Sequence, residues 1–217
     1  METEFDVAII GGGIVGLAHA WQAARRGHKV VVFEKTSVAE GATVRNFGMI
    51  WPIGQPAGEL YQVAKKSRAF WLELAEAGAL NVEACGSIHL AHNDDEMNVL
   101  QEFVDQQTHE AEIISPSDVC QRSALVNPDG LLGGMYSDTE LRVDPRTAAA
   151  GIRNWLEQEF NVQFHFETLI STIENNELIS SEGQKWTADK IIICSGSDLL
   201  TLYPEHFAKS KLVLCKL

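Results

Sequence analysis

Two short apolar runs, Phe5 to Ile10 and Lys29 to Glu34, bracket the alanine-rich stretch Ile14 to Arg26, with Gly27 as its stop. The spacing predicts strand, helix, strand, an order that implies a right-handed parallel crossover. From Gly41 to Gly58 the pattern breaks into glycine, proline and isolated bulky residues, as an irregular ordered loop requires. Glu59 to Ala77 carries Leu60, Val63, Ala64, Phe70, Leu72 and Leu74 and ends at Gly78, which predicts an amphipathic helix. Shorter elements follow: a strand at Gly86 to Ala91, a charged helix from Asp94 to Gln107, a strand at Ala111 to Ile114 and a helix start at Ser115-Pro116-Ser117-Asp118. Asp144-Pro145 then opens an alanine-rich helix through Glu159, with proline at its first position. Strand-like segments run from Val162 to Phe166, Thr168 to Glu174, Glu177 to Ser181 and Lys185 to Cys194, joined by Asn-Asn and Glu-Gly turns. Residues 1–84 and 141–204 thus read as two parts of one α/β domain. Residues 85–140 read as an inserted α+β domain, and residues 205–217 as the start of a return towards it.

Composition narrows the function classes. A hydrophobic content of 45% in 217 residues supports a buried core. The net charge of −13, from 30 acidic and 17 basic residues, opposes association with nucleic acid or anionic lipid. No apolar run approaches the roughly 20 residues that span a bilayer. Met1-Glu2-Thr3-Glu4 places no positive charge ahead of an apolar stretch, so a cytoplasmic protein is expected. Cys85, Cys120, Cys194 and Cys215 lack zinc or disulfide-framework spacing and read as reduced packing residues. His89, His92, His109, His165 and His206 are equally scattered, and Asp94-Asp95-Glu96 suits a solvated helix start, so no metal is expected.

The residues that carry chemistry lie at the first turn. Gly11-Gly12-Gly13-Ile14-Val15-Gly16 satisfies GxGxxG between a strand and a helix, where the mechanism needs it. Gly11 permits the tight turn, Gly13 lets backbone approach a pyrophosphate, and Gly16 lets helix and strand pack closely, with the phosphates at the positive helix end. Glu34 ends the second strand, where a carboxylate accepts from ribose hydroxyls and repels a 2′-phosphate. This fingerprint serves FAD and NAD equally. A second element, Ile191-Ile192-Ile193-Cys194-Ser195-Gly196 followed by Pro204, resembles the late strand-to-glycine return of many flavoproteins and favours FAD. Ser195 lacks the Gly-x-Ser-x-Gly elbow of hydrolases.

Taken together, DVAIIGGGIVGLAHAWQAARRGHKVVVFEK, GATVRNFGMIWP, RVDP and IIICSGSD resemble the D-amino-acid oxidase superfamily, which holds glycine oxidase, sarcosine oxidase and D-amino-acid dehydrogenase. The resemblance implies a Rossmann-type FAD-binding domain with an inserted, incomplete α+β substrate domain. Arg45-Asn46-Phe47-Gly48 is most similar to a bacterial branch associated with breakdown of aminoalkylphosphonates. By the resemblance, Thr43 to Gly48 lie against pyrophosphate and isoalloxazine, with Arg45, Asn46 and Met49 the candidates beside the reactive ring. Gly11, Gly13, Ile14, Val15, Gly16, Glu34, Lys35, Thr43, Arg45, Asn46, Phe47, Gly48, Ser195 and Gly196 are the cofactor-binding candidates. Ile170 is added for adenine, with Leu169 its near alternative. Relatives that bind flavin covalently in this loop use a histidine; none stands between Gly41 and Trp51, so non-covalent FAD is expected.

The implied reaction removes a hydride equivalent from the carbon bearing an amine, passing it to flavin N5 and leaving an imine that water converts to a carbonyl compound. A small amine, amino acid or aminophosphonate is the expected substrate, with oxygen or an electron acceptor as the second partner. Full-length relatives are longer, and Lys211 to Leu217 forms a strand-like run that looks like the middle of a substrate domain. An oligomer or a missing C-terminal part is therefore expected. Two other readings stay open: an FAD-binding remnant without turnover, and an NAD-dependent dehydrogenase.

Overall fold

In the computed structural model, residues 3–198 and 200–213 are described. The first half of the chain forms β1 (Glu4–Ile10), α1 (Ile14–Ala24), β2 (Val30–Phe33), β3 (Met49–Ile50), α2 (Glu59–Glu76), β4 (Ser87–Ala91) and α3 (Asp94–Asp105). Then come β5 (Glu112–Ile114), α4 (Pro116–Arg122), β6 (Gly133–Ser137), β7 (Leu141–Arg142), α5 (Pro145–Phe160), β8 (Gln163–His165), β9 (Ile170–Glu174), β10 (Glu177–Ser180), β11 (Lys185–Ile193) and α6 (Pro204–Ser210). Contacts divide the chain into two compact units. One comprises Met1–Phe47, Gly78–Leu80 and Asp144–Leu217, the other Gly48–Ala77 and Asn81–Val143.

The first unit is built on a six-stranded sheet of order β8-β2-β1-β11-β10-β9. β1 pairs in parallel with β2 and with β11, β2 pairs in parallel with β8, and the β11-β10-β9 edge is antiparallel. Parallel strands covered on both faces should be apolar throughout, and Ala8, Ile9, Val31 and Val32 are fully buried. The hairpin between β9 and β10 turns on Asn175 and Asn176, both with positive φ (47° and 68°), the pair of left-handed residues that a tight hairpin turn demands. α5 starts on Asp144, whose Oδ1 accepts the Arg146 N–H at 2.9 Å, with Pro145 following; it stops at Asn161 in the left-handed region. α1 and α5 meet through Trp21 and Trp155, whose rings lie edge to face at 5.8 Å. His165 stacks on Phe33 at 5.3 Å beside Trp186, and burial pushes its imidazole pKa down.

The second unit centres on an antiparallel sheet of order β4-β6-β5, the α+β character that the spacing predicts. Asn93 caps α3, and Ser115 and Asp118 form a reciprocal capping box on α4. The carboxylate of Glu140 is buried in this unit. Its Oε1 accepts from Ile53 N–H at 3.0 Å and Thr139 Oγ1–H at 2.7 Å, and its Oε2 from Ser87 Oγ–H at 3.0 Å.

Four features differ from the sequence reading. The middle strand β6 escapes the pattern because it begins Gly133-Gly134; Gly134 is needed there, since a Cβ would sit 2.7 Å from the His89 carbonyl oxygen. The helix at Glu59–Glu76 forms, yet of its apolar positions only Leu74, with Tyr61, is buried. It groups by contacts with the second unit, whereas the apolar pattern assigns it to the first. Residues 204–210 form a helix begun by Pro204, and 211–213 are not strand; the rest of the run expected as a strand, 214–217, lies outside the described residues. Among the described residues no helix is long and apolar enough to cross a membrane.

Candidate dinucleotide-binding site

Strand β1 ends where its neighbours β2 and β11 also end, so three backbone exits converge on the Gly11–Gly16 turn. Gly11 has φ +109°, and a Cβ there would lie 2.3 Å from the Cys194 carbonyl oxygen at the exit of β11. A Cβ on Gly16 would lie 1.9 Å from the Gly11 carbonyl oxygen, so the first turn of α1 closes onto the strand only with glycine. That turn contains no acidic residue and its N-cap, Gly13, makes no side-chain cap bond. The Ile14 N–H instead donates to Thr43 Oγ1 at 3.0 Å. A helix start without its own acid suits an anion supplied from outside.

The carboxylate of Glu34 is oriented by the same turn. Gly12 N–H donates to its Oε2 at 2.9 Å, while the Thr36 N–H and hydroxyl donate to its Oε1 at 3.0 and 2.8 Å. A carboxylate offers about four acceptor directions, which leaves room on Oε2 for one further donor such as a ribose hydroxyl. Across from it, Lys35 Nζ meets Asp198 Oδ2 at 2.5 Å, and Thr201 Oγ1–H donates to Asp198 Oδ1 at 2.8 Å. The Lys35 ammonium holds the Asp198 carboxyl below its ordinary pKa, helped by Thr201. Burial pushes the Cys194 thiol pKa up.

These groups surround one cavity of about 610 Å³ within the first unit. Gly11, Gly13, Ile14 and Val15 line it from the glycine turn, Glu34 and Lys35 from the end of β2, and Thr43, Arg45 and Asn46 from the following loop. Ile170 at the start of β9, with Leu169 beside it, and Ser195 and Gly196 after β11 complete the candidates it brings together. Gly16 lies under the turn, and Phe47, Gly48 and Met49 are not among the lining residues; Phe47 is 89% exposed. Asn46 is spent partly on its own loop, its Nδ2 donating to the Ala42 and Thr43 carbonyls at 3.1 and 2.7 Å. The Leu169 carbonyl already accepts from Ser181 N–H at 2.8 Å, and the Ile170 side chain is buried in the core.

Asp198, Thr36 and Thr201 are lining residues that the sequence reading does not single out. Asp198 stands inside the IIICSGSD segment, but its partner is 163 residues away and no local signal links the two.

A dinucleotide fits what is present. Ser195 Oγ, on the cavity wall, is buried without a hydrogen-bond partner among the described residues. An orphaned donor beside a helix start and a half-used carboxylate awaits a polar ligand. Backbone donors and one carboxylate gathered on a single cavity are the set of groups that the phosphates and a ribose of a dinucleotide require. Residues 6–214 match the family described as DAO, FAD dependent oxidoreductase. The chain belongs to that family.

Glycine oxidase from Geobacillus kaustophilus is 24% identical over 210 residues, 91% of this chain and 56% of that protein. Aerobic glycerol-3-phosphate dehydrogenase from Staphylococcus epidermidis is 26% identical over 222 residues, 90% of this chain and 39% of its own length. Among solved structures, glycine oxidase from Bacillus cereus matches with TM-score 0.79 at 27% identity, covering 92% of this chain and 57% of that one. L-amino acid deaminase from Proteus vulgaris shares the fold, with TM-score 0.79 at 18% identity over 91% of this chain and 54% of its own. The chain thus spans about half the length of the relatives it matches.

Proposed function

We propose that this chain is the FAD-holding portion of an oxidoreductase that oxidises the C–N bond of a small amine or amino acid. The observation that carries it is the convergence of the glycine turn, Glu34 and the Thr43–Asn46 loop on one cavity, in a chain of an FAD-dependent family. The Gly11–Gly13 backbone and the first turn of α1 would hold the pyrophosphate, with Thr43 and the unpartnered Ser195 hydroxyl as further donors. Glu34 would take a ribose hydroxyl on Oε2, and the backbone at Ile170 would meet adenine. Arg45, exposed on the cavity wall, would set a positive charge beside the flavin ring, whose reduction places negative charge at N1 and O2. FAD is held without a covalent bond, the loop having no histidine.

When bound, FAD supplies the electron acceptor for removal of a hydride equivalent from the carbon bearing the amine. The protein's own contribution is orientation of the reactants and exclusion of water rather than side-chain acid or base work. The product imine hydrolyses to a carbonyl compound, and oxygen or another electron acceptor completes the cycle. Within the substrate class we favour an aminophosphonate, on the likeness of Arg45-Asn46-Phe47-Gly48 to that branch. The test is anaerobic mixing of the FAD-loaded protein with glycine, sarcosine and 2-aminoethylphosphonate, read at the flavin absorbance band. Bleaching by one of them supports the reading. An FAD-loaded protein that none of them bleaches contradicts amine oxidation, and preferential binding of NAD contradicts the cofactor.

A further inference from the structure

The Gly11–Gly13 turn has a second side. Whereas Gly11 and Gly13 line the dinucleotide cavity, Gly12 lines another cavity of the same unit, of about 480 Å³. One of its walls is the face of α5 that carries Arg146, Ala149, Ala150 and Arg153. These positions are spaced i, i+3, i+4, i+7, so they form a single helical stripe in which two alanines leave room between two arginines. The facing wall is aromatic: Phe164 on β8 and Phe166 just beyond it lie two residues apart on one face, with ring centroids 6.1 Å apart and planes within 10°. Arg45 joins from the loop shared with the dinucleotide cavity.

The electrostatics are unusual for a chain of net charge −13. Three guanidinium groups and one carboxylate, Glu40, line the cavity, and Glu157 pairs with Arg153 Nε at 4.0 Å, leaving one net positive charge. Among the described residues the Arg45 and Arg146 guanidinium groups have no acceptor. Arg153 is held in place by Asn154, whose Oδ1 accepts from Nε and Nη2 at 3.0 and 2.6 Å, and its guanidinium lies 5.1 Å from the Phe166 ring centre. Guanidinium groups without an acceptor at Arg45 and Arg146, beside an aromatic pair, suit a dianion carried on a planar ring.

We propose that this cavity is a second ligand site, distinct from the dinucleotide cavity, for a phosphate monoester bearing a planar aromatic group. The phosphate meets Arg146 and Arg153, and the ring lies along Phe164 and Phe166. Because Ala39, Glu40 and Arg45 line both cavities, a ligand here borders the loop that holds the cofactor.

The probe is phenyl phosphate, titrated calorimetrically into the full chain with and without saturating FAD, with inorganic phosphate and phenol as controls. The expected result is one saturable site whose affinity changes less than about threefold when FAD is added, while inorganic phosphate binds about tenfold more weakly and phenol not at all. Arg146→Gln and Arg153→Gln each weaken it about tenfold, Arg146→Lys less, and Phe166→Leu narrows the preference over inorganic phosphate. Glu34→Gln leaves it unchanged, which separates this site from the FAD reading. AMP in the presence of FAD binds as tightly as phenyl phosphate if nucleoside phosphates are the source, and more weakly if small aryl phosphates are. No saturable binding, indifference to both arginine variants in proteins with an unchanged melt, or displacement by FAD together with sensitivity to Glu34→Gln would overturn the proposal.

Discussion

The two units treat buried polar groups differently. Around the dinucleotide cavity, bonding capacity is left unspent on the cavity wall: among the described residues Ser195 Oγ has no partner and Glu34 Oε2 takes a single N–H. In the second unit the carboxylate of Glu140 takes the same number of donors, from Ile53, Thr139 and Ser87, but is only 3% exposed, whereas Glu34 is half-buried and lines a cavity. Among the described residues both carboxylates are held by backbone and hydroxyl donors, and neither has a cation as hydrogen-bond partner. The lesson is that a ligand's access to the residual capacity of a polar group, rather than the capacity itself, separates a ligand site from a structural network. His89 Nε2 in the second unit is also unpartnered, stacked on Trp51 with ring centroids 6.3 Å apart.

Breaking the first unit's turn should have the largest effect. Gly11→Ala sets a Cβ into the Cys194 carbonyl at a backbone angle that L residues avoid, and it should cost about 3 kcal/mol or more and abolish FAD binding. Gly196→Ala is its control, with φ +62° but open space, and should cost about 1 kcal/mol in a thermal melt. Next, Glu140→Ala orphans two buried donors, Ile53 N–H and Thr139 Oγ1–H, with the half-buried Ser87 hydroxyl, and should destabilise by about 2–4 kcal/mol. Hydrogen exchange should show that loss in the second unit, with FAD affinity little changed. Glu34→Gln should do the reverse, weakening FAD by roughly tenfold to a hundredfold with a small change in the melt.

The smallest effect belongs to the Lys35–Asp198 pair, which is partly exposed and worth less than about 1 kcal/mol. Asp198 has a depressed pKa in the folded state, so its contribution is present above the unfolded value of about 3.9 and is lost as pH falls through the lower folded value. Lys35→Met should therefore flatten the acid limb of the stability curve below about pH 4. An unchanged limb would mean the pair contributes nothing to folding.

How much of this was legible in the sequence depends on how local each interaction is. The glycine turn, the Asn175-Asn176 hairpin, the Ser115 capping box and the Asp144-Pro145 helix start all act within a few residues, and each is readable from spacing. Residues that act across the chain are not: Asp198 finds Lys35 across 163 positions, and Glu140 finds Ile53 across 87. β6 is hidden for another reason, since its close approach to β4 requires glycine, the residue that strand patterns exclude. α2 shows the opposite limit, because its apolar spacing is genuine while Leu60 and Val63 remain exposed.

The central claim is that the first unit's cavity takes FAD through Glu34 and the glycine turn. Its most direct test is titration of the full chain with FAD and, separately, with NAD, following flavin and tryptophan fluorescence for the wild type and Glu34→Gln. The account predicts one FAD site, much weaker binding of NAD, and a loss of FAD affinity in Glu34→Gln at an unchanged melt. No FAD binding by a folded wild-type chain, or FAD binding indifferent to Glu34→Gln, would contradict it.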